Sequence, residues 1–150
     1  MRLLLLGLLT GVVACAVALA ACRPGPSGPV TETGALEPGD LQLASGEFYD
    51  GFSIQARQGQ WIRVEVVADG FDPYLILRSP TEEQTEVDDS DASDTRRTEI
   101  AVRASESGQW VALVTSFAPT STGTYSATIE VTNEAPIGAV DDSQGPTIEV

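Results

Sequence analysis

Apolar side chains recur at every second position in several separate stretches of this chain, and that period constrains the fold more than any other feature. Ile62, Val64 and Val66 alternate with Trp61, Arg63, Glu65 and Val67, and Tyr125, Ala127, Ile129 and Val131 form the cleanest such series. Phe48, Phe52 and Ile54 make a third series, and Ile100 and Val102 a fourth. Successive residues of a β-strand point to opposite faces, so each series predicts a strand with one buried side. Tyr74-Leu75-Ile76-Leu77 is a continuous apolar run and predicts a strand covered on both faces, while Trp110, Val111, Leu113 and Val114 lie in a strand from Gln109 to Thr115. Arg57 to Gln60, Ser79-Pro80-Thr81 and Ser107-Gly108 supply turns, and Asp69-Gly70 carries a hairpin signal. No window beyond residue 22 holds a helical period. The expectation is an all-β domain of about 7–8 strands, folded as a two-sheet sandwich in preference to a barrel.

The first 22 residues stand apart. Arg2 precedes an almost wholly apolar run from Leu3 to Ala21, and Leu19-Ala20-Ala21-Cys22 closes it with small residues and a cysteine. This is the pattern of a secretory signal, to be set aside from fold reasoning. Its ending resembles a bacterial lipobox. The resemblance implies cleavage before Cys22 and acylation of its thiol, with palmitate-type chains anchoring the protein to a membrane. Arg23 after the cysteine, where an Asp would favour inner-membrane retention, points to the outer membrane in a Gram-negative cell and to the cell surface otherwise. Two other readings stay open: an uncleaved membrane-spanning helix, which needs about 20 apolar residues, and an ordinary cleaved signal that releases a soluble protein. The expected organisation is a signal peptide over 1–21, a Pro/Gly-rich tether over 22–33, the sandwich over 34–132 and a loose tail over 133–150, with a stray strand at Thr147 to Val150.

Charge narrows the partners. The chain has 22 acidic residues against 8 basic, a formal net charge of −14, and neither Lys nor His. Such a surface repels nucleic acid and anionic head groups, so nucleic acid is not an expected partner. With Cys15 in the signal and Cys22 acylated, no disulfide is available, and stability must come from a hydrophobic core.

Three ordered patches resemble the bacterial pre-peptidase C-terminal domain. They are Leu36-Glu37-Pro38-Gly39-Asp40 with Asp50-Gly51-Phe52-Ser53-Ile54; Gly59-Gln60-Trp61-Ile62-Arg63-Val64 leading to Phe71-Asp72-Pro73-Tyr74-Leu75-Ile76-Leu77; and Glu106-Ser107-Gly108-Gln109-Trp110-Val111 joined to Gly123-Thr124-Tyr125. The resemblance spans about residues 34 to 132. It implies a jelly-roll-like antiparallel β-sandwich without catalytic activity, of a kind found beside secreted peptidases, where some members bind protein substrate or calcium.

The residue types present restrict chemistry in the same direction. Hydroxyl nucleophiles need an adjacent base, usually His, and common zinc sites need His or Cys, so both routes are closed here. The acidic run Glu82, Glu83, Glu86, Asp88, Asp89, Asp91 and Asp94 is the sharpest local feature. Asp72, Asp88, Asp89 and Asp91 are the candidate ligands of a Ca²⁺ ion, which takes about six to eight oxygens; a solvated acidic loop is the competing reading. Trp61 and Tyr74 are the candidate aromatic platform for a protein or polysaccharide ligand, against simple packing, and Phe117 is a candidate rim residue. The expected function is a binding or accessory module of the cell envelope. The alternatives are a structural spacer and an accessory subunit of a separately encoded peptidase.

Overall fold

In a computed structural model the chain is described over residues 28–88 and 95–137. The described part is all β, in nine strands. They are β1 (Val30–Leu36), β2 (Leu41–Gln42), β3 (Phe48–Ala56), β4 (Trp61–Asp69), β5 (Pro73–Arg78), β6 (Gln84–Val87), β7 (Arg97–Arg103), β8 (Gly108–Ser116) and β9 (Gly123–Thr132). One sheet has the order β1-β9-β4-β7 and the other β2-β3-β8-β5-β6, with every ladder antiparallel.

These orders follow from rolling up one long hairpin. The pairs β1·β9, β3·β8, β4·β7 and β5·β6 are the rungs of a hairpin whose tip is the β5–β6 turn. The pairs β4·β9 and β5·β8 then join rungs side by side. That is jelly-roll topology, with β2 an added fragment on the edge of β3. The expected class is therefore the observed one.

Alternation does what the sequence predicts. Ile62, Val64 and Val66 are fully buried and face Leu75, Leu77, Ala112 and Val114 of the opposite sheet within one core cluster. Burying each such side chain contributes about 1.5–3 kcal/mol, which a domain without a disulfide requires. Polar struts tie the layers. The Tyr125 hydroxyl of β9 donates to Asp50 Oδ2 of β3 at 2.5 Å, and the Thr98 hydroxyl of β7 donates to the Asp88 carbonyl just past β6. Phe52 and Phe71 meet the Tyr125 ring edge-on, both at 6.4 Å. Burial, and then the hydrogen bond to Asp50, raise the Tyr125 pKa above its ordinary value. Gly34 is required beside this strut, since a Cβ there would overlap the Tyr125 hydroxyl.

Three expectations are corrected. Asp69-Gly70 is a turn but not a hairpin: β4 pairs with β7 and β9, whereas β5 pairs with β6 and β8. The chain crosses between sheets there, with Gly70 at φ +98° and Phe71 buried in the interior. The first strand begins at Val30, so the last residues of the expected tether pair with β9, from Val30↔Ile129 to Thr33↔Ser126. Glu86, expected on a loop, lies within strand β6. Cys22, Asp89, Asp91 and the Thr147 to Val150 segment lie outside the described residues, as does the apolar stretch from Leu3 to Ala21. Among the described residues no helix is long and apolar enough to cross a membrane.

Candidate functional site

The outer face of the five-stranded sheet carries a groove of about 420 Å³. Its floor is Tyr74, Ile76 and Arg78 of β5 with Thr115 of β8, because alternation turns those residues away from the core residues Leu75, Leu77 and Val114. Gln84 and Glu86 of β6 form one wall, placed there by the register Ile76↔Glu86 and Arg78↔Gln84. Leu43, Ser45 and Glu47 from the β2–β3 loop, Ser116 at the end of β8 and Phe117 after it form the rest of the lining. The two loops are joined by a hydrogen bond from Thr120 N to the Gly46 carbonyl at 3.4 Å.

Two carboxylates and two aromatic rings meet in this groove. Tyr74 donates its hydroxyl to Glu86 Oε2 at 2.8 Å, and Gln84 Nε2 donates to Glu86 Oε1 at 3.1 Å. The hydrogen bond to Glu86, then burial and the charges of Glu86 and Asp88, raise the Tyr74 pKa above its ordinary value. Glu47 is only 8% exposed, yet it is a groove residue. Its Oε2 accepts the Ser45 hydroxyl at 2.5 Å. Arg78 is the single guanidinium in the lining, and it donates through Nε to Gln84 Oε1 at 2.7 Å. Among the described residues the ion pairs all involve Arg63 or Arg97 on the other sheet, so neither groove carboxylate has a cation within 4 Å. Phe117 is 60% exposed and leaves an aromatic ring open to solvent at the groove.

Of the residues singled out from the sequence, Tyr74 and Phe117 come together here. Trp61 does not. Its parity on β4 turns it outward with Arg63 and Glu65, but between its cross-strand partners Arg103 and Thr132 it is only 6% exposed. It offers no ring face to solvent. Asp72 precedes β5, and its carbonyl accepts Phe117 N at 2.9 Å. Among the described residues no group of three or more Asp, Glu, His or Cys is placed to hold a metal ion. Glu47 and Glu86 were not legible as a pair, because only the strand register and a loop fold bring them into one groove.

A second, larger cleft of about 550 Å³ opens between β1 and β3, lined by Phe52, Ile54, Ile129 and Val131 with Glu32 and Arg57 also in its lining. Size alone favours that cleft, but its interior continues the core. Ligand sites combine a concave surface with a few convergent polar groups, and the groove supplies both.

No family model matches this chain, and no curated protein matches it. Among solved structures, PliG of Aeromonas hydrophila, a periplasmic inhibitor of g-type lysozyme, is 14% identical with a TM-score of 0.46, covering 69% of this chain and 86% of that one. So distant a likeness decides neither fold nor ligand.

Proposed function

We propose that this chain is a non-catalytic binding module of a bacterial cell envelope, anchored through acyl chains on Cys22, whose ligand docks in the groove over β5, β6 and β8. The observation that carries the reading is the concentration of exposed aromatic surface and unneutralised carboxylate in one concavity on a sheet face, with Phe117 at 60% exposure. An aromatic ring and a few oriented acceptors serve recognition. Catalysis by hydroxyl or thiol attack lacks its usual His or Lys base in a chain that has neither. The lipobox-like Leu19-Ala20-Ala21-Cys22 ending supports the anchor, and the pre-peptidase C-terminal resemblance supports a module without its own activity.

The test uses the full-length chain, immobilised and exposed to envelope extract, alongside Tyr74→Ala and Phe117→Ala variants. The expected result is a partner captured by the wild type and lost by both variants while their melting transitions remain cooperative. A partner retained equally by all three would move the site elsewhere. Replacing Cys22 with Ser should release the protein from membranes into the soluble fraction; continued membrane retention would favour an uncleaved helix.

A further inference from the structure

We infer that the groove receives a guanidinium or ammonium side chain from a basic protein segment, seated between Glu47 and Glu86 and against the Phe117 ring. The inference rests on the groove being the ligand site and names the chemistry of the ligand.

Charge complementarity carries it. A carboxylate withdrawn from water is costly unless it is paired or accepts several hydrogen bonds. Glu47 is more than nine-tenths buried, and among the described residues its carboxylate accepts from one hydroxyl, that of Ser45. Among the described residues no Arg lies within ion-pair distance of it, and the chain contains no Lys. Glu86 has both oxygens in use, yet the donors are the neutral Tyr74 and Gln84, so its charge also stays unbalanced. Arg78, the cation native to the groove, is oriented by Gln84. The groove therefore holds an excess of negative charge, and at the buried Glu47 an incoming cation interacts more strongly than it would in bulk water.

The aromatic lining points the same way. A cation over a ring face is attracted by the ring quadrupole, more so when desolvated, and Phe117, 60% exposed, lines the same groove as the two carboxylates. A guanidinium satisfies both features, since its planar face stacks on a ring while its edge donates to a carboxylate. The chain's net charge of −14 adds long-range attraction for a basic partner. That field is general; the groove makes it specific.

The experiment is a calorimetric titration of the full-length chain with a capped hexa-arginine peptide at 150 mM salt, repeated with four variants. Wild type is expected to bind, and Glu47→Gln, Glu86→Gln and Phe117→Ala each to weaken binding at least fivefold. Glu130→Gln makes the same charge change on the outer side of the four-stranded sheet and should shift affinity less than twofold. Equal losses from Glu130→Gln and from both groove Gln variants would reduce the effect to net charge and overturn the inference. Should Glu47→Gln fail to fold, the Glu86→Gln comparison decides alone. A neutral glycan oligomer that binds the wild type, loses affinity in Phe117→Ala and is not displaced by hexa-arginine would overturn the cationic ligand while keeping the groove as the binding site. Hexa-arginine binding that none of the three groove variants weakens would overturn both.

Discussion

The two outer faces of this sandwich handle their acidic residues in opposite ways. On the four-stranded sheet, Arg63 of β4 donates through Nε to Glu99 at 2.8 Å and through Nη2 to Glu65 at 2.6 Å, and Arg97 of β7 meets Glu65 at 2.9 Å. The hydrogen bond to Glu99 leads the interactions that raise the Arg63 pKa, against the opposing effect of burial. Two arginines and two glutamates form a lattice across β4 and β7, the strands that pair Glu65 directly with Glu99. On the five-stranded sheet, Glu47 and Glu86 share a groove with one guanidinium, and among the described residues neither forms an ion pair. Composition is acidic on both sides. Register decides which carboxylates are paired with an arginine within the described fold and which are not.

The comparison predicts that removing charge from the two faces has unequal consequences. Arg63→Met leaves the partly buried Glu65 and Glu99 opposite each other with only the half-exposed Arg97 between them, and should destabilise by about 2 kcal/mol, between the exposed and fully buried limits for a broken pair. Urea unfolding checks this, with a lowered midpoint and unchanged slope expected. Arg97, half-exposed, should cost less than about 1 kcal/mol when replaced by Met. In the groove, Glu47→Gln removes a charge that has no counter-ion among the described residues, so stability should stay within about 0.5 kcal/mol of wild type or rise. A loss matching that of Arg63→Met would break the distinction.

A smaller effect tests whether the faces are tied through the interior. Tyr125→Phe removes the strut to Asp50 and should cost about 1–1.5 kcal/mol. The pKa of Tyr125 is raised in the folded state, so the proton is held more tightly there than in the unfolded chain. Its stabilisation is fully present below the unfolded value of about 10 and is lost as pH rises beyond it. Melting between pH 9 and 11 should therefore show a steeper alkaline decline in wild type than in Tyr125→Phe. Arg63 and Tyr125 share no partner, and the double variant should be additive within about 0.5 kcal/mol.

The smallest effect concerns the turn that joins the two strands of the groove. Ser79 N donates to the Glu83 carbonyl at 2.8 Å and Glu82 N to the Ser79 carbonyl at 3.0 Å, closing a tight β5–β6 loop. Glu82 sits there at φ 69°, a conformation that favours glycine. Glu82→Gly should raise stability by about 0.5 kcal/mol, measured by the same urea titration, without touching the lattice on the other face.

How much of this was legible follows from what each strand buries. β3, β4, β7 and β9 bury mainly one face and so carry a period of two that the sequence displays, whereas β8 is covered on both faces from Ala112 to Ser116. β5 reads as a continuous apolar run because Ile76 on its outer side is also covered, next to Leu113. β6 was hidden: Gln84, Thr85 and Glu86 are exposed on an edge, and only Val87 packs on the core. β1 was hidden for the same reason, with Leu36 its one buried residue. Asp69-Gly70 signals a change of direction, but a local signal cannot specify which sheet receives the next strand. Trp61 shows a related limit: parity gave its face, whereas its cover comes from residues more than 40 and 70 positions later. The Tyr74–Glu86 pair needed the β5–β6 register, and Glu47 needed a loop folded beside Phe117.

The most direct test of the contrast between the faces is backbone amide chemical-shift mapping of the full-length chain titrated with the capped hexa-arginine peptide. Shifts concentrated at Leu43 to Glu47, Tyr74 to Arg78, Gln84 to Glu86 and Phe117, with Arg63, Glu65 and Glu99 unmoved, are the predicted result. Shifts spread evenly over both faces, or centred on the Arg63 lattice, would contradict it.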